Sequence, residues 1–212
     1  MRMEEKADYH KEEKWNAWSH GLGILLGILG AYLLLDKNTA QSNQTIISLV
    51  VYSISIVLLF TASTLYHSVS KLALKRKLRI LDHISIYYLI AGTYTPVCVV
   101  LLADSRGWIL LYVVWGLALL GTMLKLFFTG KFEVFSLLLY LFMGWLIVFD
   151  IGALIATTSK LGLTLMALGG AFYTLGIVFY ALRKIPYNHL IWHVFVLGGA
   201  ISHWLFIYWD IL

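Results

Sequence analysis

Long apolar runs separated by short polar segments dominate the chain. Seven of these runs reach the ~20 residues that an α-helix needs to cross a hydrocarbon layer about 30 Å thick. The predicted spans lie near residues 17–36, 46–69, 79–102, 107–128, 133–156, 161–182 and 190–211. Because the connecting segments are short, consecutive helices should run antiparallel. The pattern therefore predicts an all-α integral membrane protein, with a single seven-transmembrane helix bundle over residues 17–212 that follows a cytoplasmic tail of residues 1–16.

The composition supports the membrane class. The chain has 212 residues, of which 60% are hydrophobic and only 13% are charged, and its mean hydropathy is +0.82. Soluble domains carry roughly 25% charged residues. With two prolines and no linker-like tract, the sequence argues against a second, soluble domain. The lone Cys98 excludes an intramolecular disulfide and a cysteine-cluster metal site.

The positions of the basic residues predict how the bundle is oriented. Lys and Arg residues near span ends stay on the cytoplasmic side of a membrane. Of the 16 Lys and Arg residues, all but Lys37, Arg106 and Lys160 fall on the side of the N-terminus. We therefore predict a multi-pass protein of the cell membrane with its N-terminus inside and its C-terminus outside. The same rule explains the basic segment 71–79 and the net charge of +5, so no nucleic-acid partner is expected.

Several ionisable residues fall inside the predicted spans, where such groups are functional suspects by default. His189 and His193 begin the last span and, four residues apart on a helix, share one face. With the orientation fixed, His67 at the inner end of span two and Asp82 at the inner start of span three fall at the same depth. Three spans therefore bring ionisable side chains toward the cytoplasmic side.

These side chains match the ligands of a zinc site. Three neutral imidazoles and a water make a four-coordinate site of the catalytic type, so we predict His67, His189 and His193 as Zn²⁺ ligands. Asp82 is then placed to hold and deprotonate the water, which zinc makes more acidic. Ser63, one helical turn before His67, would hydrogen-bond the water, a ligand or the substrate, although a polar residue at a helix contact is an equal interpretation. The alternative for the histidine pair is a wet, interfacial position.

Other ionisable residues receive different interpretations. His20, at the inner start of span one, is expected to cap that helix or to line the mouth of the site. His83 points about 100° away from the preceding residue around its helix, which places it at the interface. His203 lies ~15 Å beyond His193 along the axis and should form a hydrogen bond within the bundle instead. Asp150 is expected to pair with His203 or with a hydroxyl group.

Small residues and a proline predict local packing. Gly23 and Gly27 form a G-x-x-x-G pattern that permits close helix approach, and seven spans favour contact within the monomer over dimerisation. Pro96 should kink span three. The pattern leaves the oligomeric state open.

Taken together, these residues resemble the hemolysin III family, the bacterial branch of the progestin and adipoQ receptor superfamily, which includes the adiponectin receptors. The matching motifs are Glu13-x-x-Asn16-x-x-Ser19-His20, Ser63-x-x-x-His67, Leu81-Asp82-His83, Ala91-Gly92-Thr93-Tyr94-Thr95-Pro96, and His189-x-x-x-His193 with His203. The resemblance implies a seven-helix fold with an inside N-terminus and a zinc ion held by His67, His189 and His193. It also implies that Asp82 contacts the zinc-bound water, with Ser63 nearby.

The resemblance also implies a function at the membrane. The superfamily includes alkaline ceramidases, and bacterial members have been linked to membrane lipid homeostasis, so a membrane lipid is the expected substrate or ligand. We expect a zinc-dependent hydrolase of a lipid amide or ester, with Asp82 shuttling the proton. The alternative is a non-enzymatic, zinc-stabilised lipid sensor or a pore-forming, haemolytic protein, although the spans carry few charges to line a wide pore. A proton or cation transporter using Asp82, Asp150 and His203 is a third interpretation, but it lacks a continuous polar face.

Overall fold

Helices make up nearly all of the described chain. The computed structural model describes residues 3–38, 42–128, 132–182 and 184–212. Its helices are α1 (Met3–Lys37), α2 (Asn43–Ser68), α3 (Leu72–Pro96), α4 (Gly107–Phe128), α5 (Glu133–Trp145), α6 (Ile151–Thr157), α7 (Lys160–Ala181) and α8 (Asn188–Phe206). A π-helical turn over Val97–Leu101 extends α3, a 3₁₀ turn over Leu146–Asp150 joins α5 to α6, and a second π-helical turn over Ile207–Ile211 extends α8.

Seven helical segments within these described ranges are long and apolar enough to cross a membrane. They are His10–Lys37, Asn43–Ser68, Leu72–Leu101, Gly107–Phe128, Glu133–Thr157, Lys160–Ala181 and Asn188–Ile211. The predicted all-α, seven-span architecture is thus confirmed, and a lipid bilayer surrounds the protein. The direction of the termini stays a prediction, and three basic residues that entered it, Arg2, Lys131 and Arg183, lie outside the described residues.

The first helix starts earlier than the apolar pattern indicates. The sequence predicted a tail over residues 1–16, whereas α1 begins at Met3 and runs through this stretch into the first span. Hydropathy misses this stretch because it is polar. Its polar side chains are nevertheless covered by protein: Asn16 is only 2% exposed, and Glu13 is largely buried. The extension therefore packs as part of the helical bundle.

The helices form a ring in which the last helix returns to the first. α1 packs against α2 and α8, α2 against α3, α3 against α4, and α7 against α8, with α5 between α4 and α7. Gly23 permits the contact between α1 and α2, because a Cβ atom there would stand 2.5 Å from the Phe60 ring, and Gly27 faces Val57 at the same contact. The predicted packing of the G-x-x-x-G pattern within the monomer is confirmed.

The ring has two ends with different polar residues. α1 runs from Glu13, which contacts His67, to Lys37, whose ammonium group donates a hydrogen bond to the backbone carbonyl of Tyr208. We call the end that holds His67 the histidine end, and the opposite end, which holds Lys37 and Asp150, the aspartate end. The basic residues predict that the histidine end is cytoplasmic.

Candidate metal centre

The three predicted metal ligands come together at the histidine end. His67 lies in the last turn of α2, while His189 and His193 lie in the first two turns of α8. One ligand nitrogen from each ring lies within 4.8 Å of the other two. His67 is distant from His189 and His193 in the sequence. The fold brings them together because α1 packs against both α2 and α8. Such a cluster has the ligand types and spacing to hold a metal ion.

Polar groups of α1 orient two of these rings. The carboxylate of Glu13 lies 3.3 Å from Nδ1 of His67 and also forms an ion pair with Lys75. Nδ1 of His193 lies 3.2 Å from the backbone carbonyl of Asn16 and 3.2 Å from the hydroxyl of Ser19. Carboxylate and carbonyl acceptors favour a proton on Nδ1, which leaves Nε2 as the lone-pair donor. Metal-binding histidines are commonly held in this way.

Two further nitrogens of the cluster have no hydrogen-bond partner among the described residues. Nε2 of His67 and Nε2 of His189 are buried, and neither has a hydrogen-bond partner within the described ranges. A buried polar atom without a partner is uncommon in native proteins and needs an explanation. A metal ion accepting both lone pairs supplies one, so the residues present fit a metal. Three neutral imidazoles suit zinc, copper, iron or nickel, and the geometry alone does not choose among them.

Asp82 and Ser63 lie beside the histidine cluster. Asp82 is 8% exposed, its carboxylate interacts with the hydroxyl of Ser63, and it lies close enough to His67 for an electrostatic interaction. Ser63 is 1% exposed on the turn of α2 before His67. The three-histidine cluster does not include Asp82. Among the described residues, the carboxylate therefore stands next to the candidate ligands rather than with them.

Of the two roles predicted for His20, its position agrees with one. It cannot cap α1, because that helix begins at Met3. Instead its ring stacks flat on His193, with centroids 3.6 Å apart and planes 8° from parallel, and the edge of Phe60 lies against it at 5.0 Å. The sequence predicted helix capping or a lining role, and only the lining role agrees with this position.

The predicted interfacial position of His83 is wrong. His83 is only 7% exposed, and its Nδ1 lies 3.7 Å from the carboxylate of Glu133 at the start of α5. The same carboxylate binds Lys125 at 3.1 Å and Arg79 at 3.2 Å. On α3 alone, His83 faces away from Asp82 and would be exposed. In the bundle, α5 with Glu133 packs over that side of α3, so His83 is buried.

The other two ionisable residues serve the architecture. Nε2 of His203 lies 3.3 Å from the carbonyl of Met166, which confirms the predicted hydrogen bond within the bundle. Asp150 accepts hydrogen bonds from the hydroxyl of Ser105 at 2.9 Å and from the backbone N–H of Arg106 at 2.9 Å. Of the two partners expected for Asp150, the structure thus shows a hydroxyl group.

A cavity of about 580 Å³ connects the histidine end to the apolar interior. Its polar end is lined by His20, Ser63, Asp82, His189 and His193, and its other walls include apolar side chains of α3, α5, α7 and α8. It extends to Trp145, Val148 and Leu175, which are about half exposed on the outside of the bundle. A second cavity of about 180 Å³ lies beside His67 and His189 and is lined by Glu12, Glu13, Asn16 and Tyr66. The candidate centre is therefore approached by one apolar and one polar space.

Sequence reasoning missed the role of Glu13 and Asn16. Glu13, Asn16 and His20 recur at helical spacing before the first apolar run, and this periodicity is the signal that could have assigned them to one face of α1. Their partners are 54 and 177 residues away in the sequence, so the contacts themselves are not visible without the fold.

Comparisons with known proteins agree with the geometry. A family model described as Haemolysin-III related matches residues 8–204. A Hemolysin-3 homolog from Bacillus subtilis is 44% identical over 191 residues, which cover 90% of this chain and 90% of that protein. Hemolysin-3 of Bacillus cereus is 39% identical over 200 residues, or 94% and 91% of the two chains. Human monocyte to macrophage differentiation factor is 31% identical over 215 residues, or 93% and 85%.

Proposed function

Since the chain belongs to the haemolysin III family of membrane proteins, we propose that it is a zinc-dependent hydrolase that cleaves an amide or ester bond of a membrane lipid. The observation that carries this proposal is the position of the metal-ligand cluster. His189 and His193 stand at the polar end of an otherwise apolar cavity of about 580 Å³. A cavity of this size accommodates a lipid chain and holds its polar linkage against the histidines.

The residues beside the cluster fit the needs of hydrolysis. A bound zinc ion would supply Lewis acidity, which polarises a carbonyl group and makes water more acidic. Asp82 takes a proton from the attacking water and returns it to the leaving amine or alcohol, so the new C–O bond forms as the C–N or C–O bond of the lipid breaks. The hydroxyl of Ser63 interacts with the Asp82 carboxylate. Glu13 and Asn16 keep His67 and His193 in the required tautomers.

The two spaces around the cluster supply the two reactants. The wide cavity includes the half-exposed Trp145 and Leu175, so a lipid enters sideways between α5 and α7 from the bilayer. Trp145 donates a hydrogen bond to the hydroxyl of Thr174 at 3.3 Å across this gap. The polar cavity beside Glu13 and His67 offers a path for water. These features suit a multi-pass hydrolase of the cell membrane that acts in lipid homeostasis.

The test is lipid turnover by purified protein in vesicles. The vesicles contain palmitoyl-oleoyl phosphatidylethanolamine as the ester and N-oleoylsphingosine as the amide, and released fatty acid is measured by mass spectrometry in H₂¹⁸O. Asp82→Asn should lower turnover by about 100-fold or more while zinc content stays near that of the wild type. Asp150→Asn is the matched control, because it alters a buried carboxylate outside the site.

Two outcomes would overturn the proposal. Turnover of Asp82→Asn equal to that of the wild type would exclude Asp82 as the proton carrier. Wild-type turnover no greater than that of a His189→Ala/His193→Ala protein would exclude hydrolysis at the cluster altogether. Incorporation of ¹⁸O into the released acid identifies water as the nucleophile.

The relatives' names and the helix positions favour a second candidate, a metal-stabilised protein without enzymatic activity. Two relatives are named as hemolysins, and the cluster ties α2 to α8 through His67 and His193. As a lipid sensor or a haemolytic pore, the protein should have a lower melting temperature after EDTA removes the metal. It should show no lipid turnover either before or after EDTA treatment. Leakage of dye-loaded vesicles that persists without the histidines would identify the pore.

A further inference from the structure

His20 occupies a position that neither the metal cluster nor the proton carrier explains. It is 3% exposed, lines the polar end of the large cavity, and lies flat against the candidate ligand His193. Within the described ranges it is the one histidine whose two ring nitrogens are both buried without a hydrogen-bond partner. The ring nitrogens interact with the backbone of His193 without reaching hydrogen-bonding geometry.

Unpartnered nitrogens on a buried imidazole are unfavourable. A neutral imidazole always carries one N–H donor and one acceptor, and leaving either unsatisfied in a buried site is costly. Two other histidines of the described chain avoid this cost in part, because His193 faces the carbonyl of Asn16 and His203 faces the carbonyl of Met166. His20 thus has a donor and an acceptor nitrogen that are both unsatisfied at the wall of a cavity.

The arrangement is unsuited to metal binding but suited to contact with a ligand. His20 does not belong to the cluster of ligand nitrogens formed by His67, His189 and His193. Its ring stacks face to face on His193 at a centroid distance of 3.6 Å, so it lies beside the candidate ligand rings rather than among them. Because His20 also lines the large cavity, its ring nitrogens are available to a polar group of a molecule bound there.

We propose that His20 donates the hydrogen bond that binds the carbonyl or carboxylate oxygen of an acyl lipid in the cavity. This inference rests on the proposed function, because it takes an acyl lipid as the occupant. The ring is held in advance: Phe60 packs edge-on against it, and Gly23 lets the Phe60 ring approach α1 closely. A donor fixed before binding loses little conformational freedom when the lipid arrives.

The experiment measures binding of oleate, the carboxylate that acyl hydrolysis would release. Purified protein in detergent is titrated with [1-¹³C]oleate, once loaded with zinc and once after EDTA treatment, and the carboxyl ¹³C signal is followed by NMR. His20→Phe retains an aromatic ring for the stack but removes both nitrogens. We expect it to weaken oleate binding by about 10- to 100-fold in both states, with unchanged zinc content. His20→Gln, which keeps an N–H donor, should recover part of the affinity.

The outcomes separate this inference from the proposed function. If wild-type protein binds no oleate with or without zinc, the acyl-lipid proposal fails together with its consequence for His20. If the wild type binds oleate and His20→Phe binds it equally well, only the inference about His20 is wrong. Loss of zinc from His20→Phe would also overturn it, because His20 would then act as a support for His193 rather than as a lipid contact.

Discussion

Asp150 at the aspartate end and His20 and His67 at the opposite end are all buried ionisable residues, and they differ in how their hydrogen-bonding groups are satisfied. At the aspartate end, Asp150 receives hydrogen bonds from Ser105 and from the backbone of Arg106. At the histidine end, Nε2 of His67, Nε2 of His189 and both nitrogens of His20 have no partner among the described residues. Burial alone does not distinguish the two regions.

The difference separates architecture from function. A buried polar group with protein partners contributes to stability or is neutral, whereas one without partners lowers stability until something binds it. Asp150, with its donors in place, needs no ligand. At the histidine end, Glu13 and Asn16 provide acceptors for Nδ1 of His67 and of His193, whereas Nε2 of His67 and Nε2 of His189 have no partner among the described residues. Residue type and depth in the membrane suggested a difference between Asp150 and the histidines, and their hydrogen-bond partners show which atoms it concerns.

The largest expected effect is loss of the metal from a His189→Ala/His193→Ala protein. Complete structural zinc sites bind with apparent free energies of roughly 10–16 kcal/mol, so removing two of three ligands should weaken zinc binding by about 1000-fold or more. Metal analysis of purified protein, followed by competition with a zinc chelator, measures this change. Equal zinc content in the variant and the wild type would contradict the assignment of the site.

The control for this prediction is His203→Gln, which removes a partly buried histidine of the same chain whose Nε2 already has a partner at Met166. Its zinc content should match that of the wild type. If it lost zinc to the same extent, the contrast between satisfied and unsatisfied histidines would not explain metal binding.

A smaller effect is expected from Glu13→Gln. The neutral amide still fits beside His67, but it no longer offers a carboxylate to the proton on Nδ1. Removing such an orienting partner typically weakens metal binding by about 10- to 100-fold. Zinc competition titrations measure the affinity. Glu133→Gln is the matched control, because Glu133 lies at the same end but faces His83, Lys125 and Arg79, and an equal loss there would indicate a general electrostatic effect.

The fold and part of the site could be predicted because they rest on local periodicity. Apolar run length gives the seven spans, and the four-residue spacing of His189 and His193 places both rings on one helix face. The depth of His67 follows from its place near a span end. Once consecutive spans alternate in direction, equal depth limits where such side chains can meet.

The rest could not be predicted because it depends on which helices are neighbours. Whether His83 is exposed to water or buried depends on α5, whose Glu133 contacts it although the two residues are distant in the sequence. The stacking of His20 on His193 requires α1 beside α8, a contact between the first and last helices. Hydropathy also obscured the start of α1, because Asn16 is polar yet buried. The depth of a residue in the membrane can therefore be predicted from the local sequence, whereas the helices beside which it lies cannot.

Stability, rather than metal binding, should respond to Asp150→Ala. The change leaves the hydroxyl of Ser105 and the backbone N–H of Arg106 without their shared acceptor. Loss of a buried partner of this kind lowers the free energy of unfolding by roughly 1–3 kcal/mol. Thermal or denaturant unfolding in detergent measures the loss, and zinc content should not change. A loss of zinc with unchanged stability would reverse the roles assigned to the two ends.

The smallest expected effect comes from a pair of serines, one beside each buried aspartate. Ser105→Ala removes one of the two donors to Asp150, and a single hydrogen bond typically contributes about 0.5–1.5 kcal/mol, so its unfolding free energy should fall by roughly that amount with turnover unchanged. Ser63→Ala removes the hydroxyl that interacts with Asp82, so it should lower lipid turnover more than stability.

The control for loss of a buried hydroxyl is Ser202→Ala, because the Ser202 hydroxyl donates to the carbonyl of Gly198 in its own helix. Because Ser63 and Ser202 are both buried, a loss of turnover in Ser63→Ala that Ser202→Ala does not share comes from the position of Ser63 beside Asp82. Equal effects of the two changes on both stability and turnover would mean that Ser63 merely fills a helix contact and that the contrast does not extend to the hydroxyl groups.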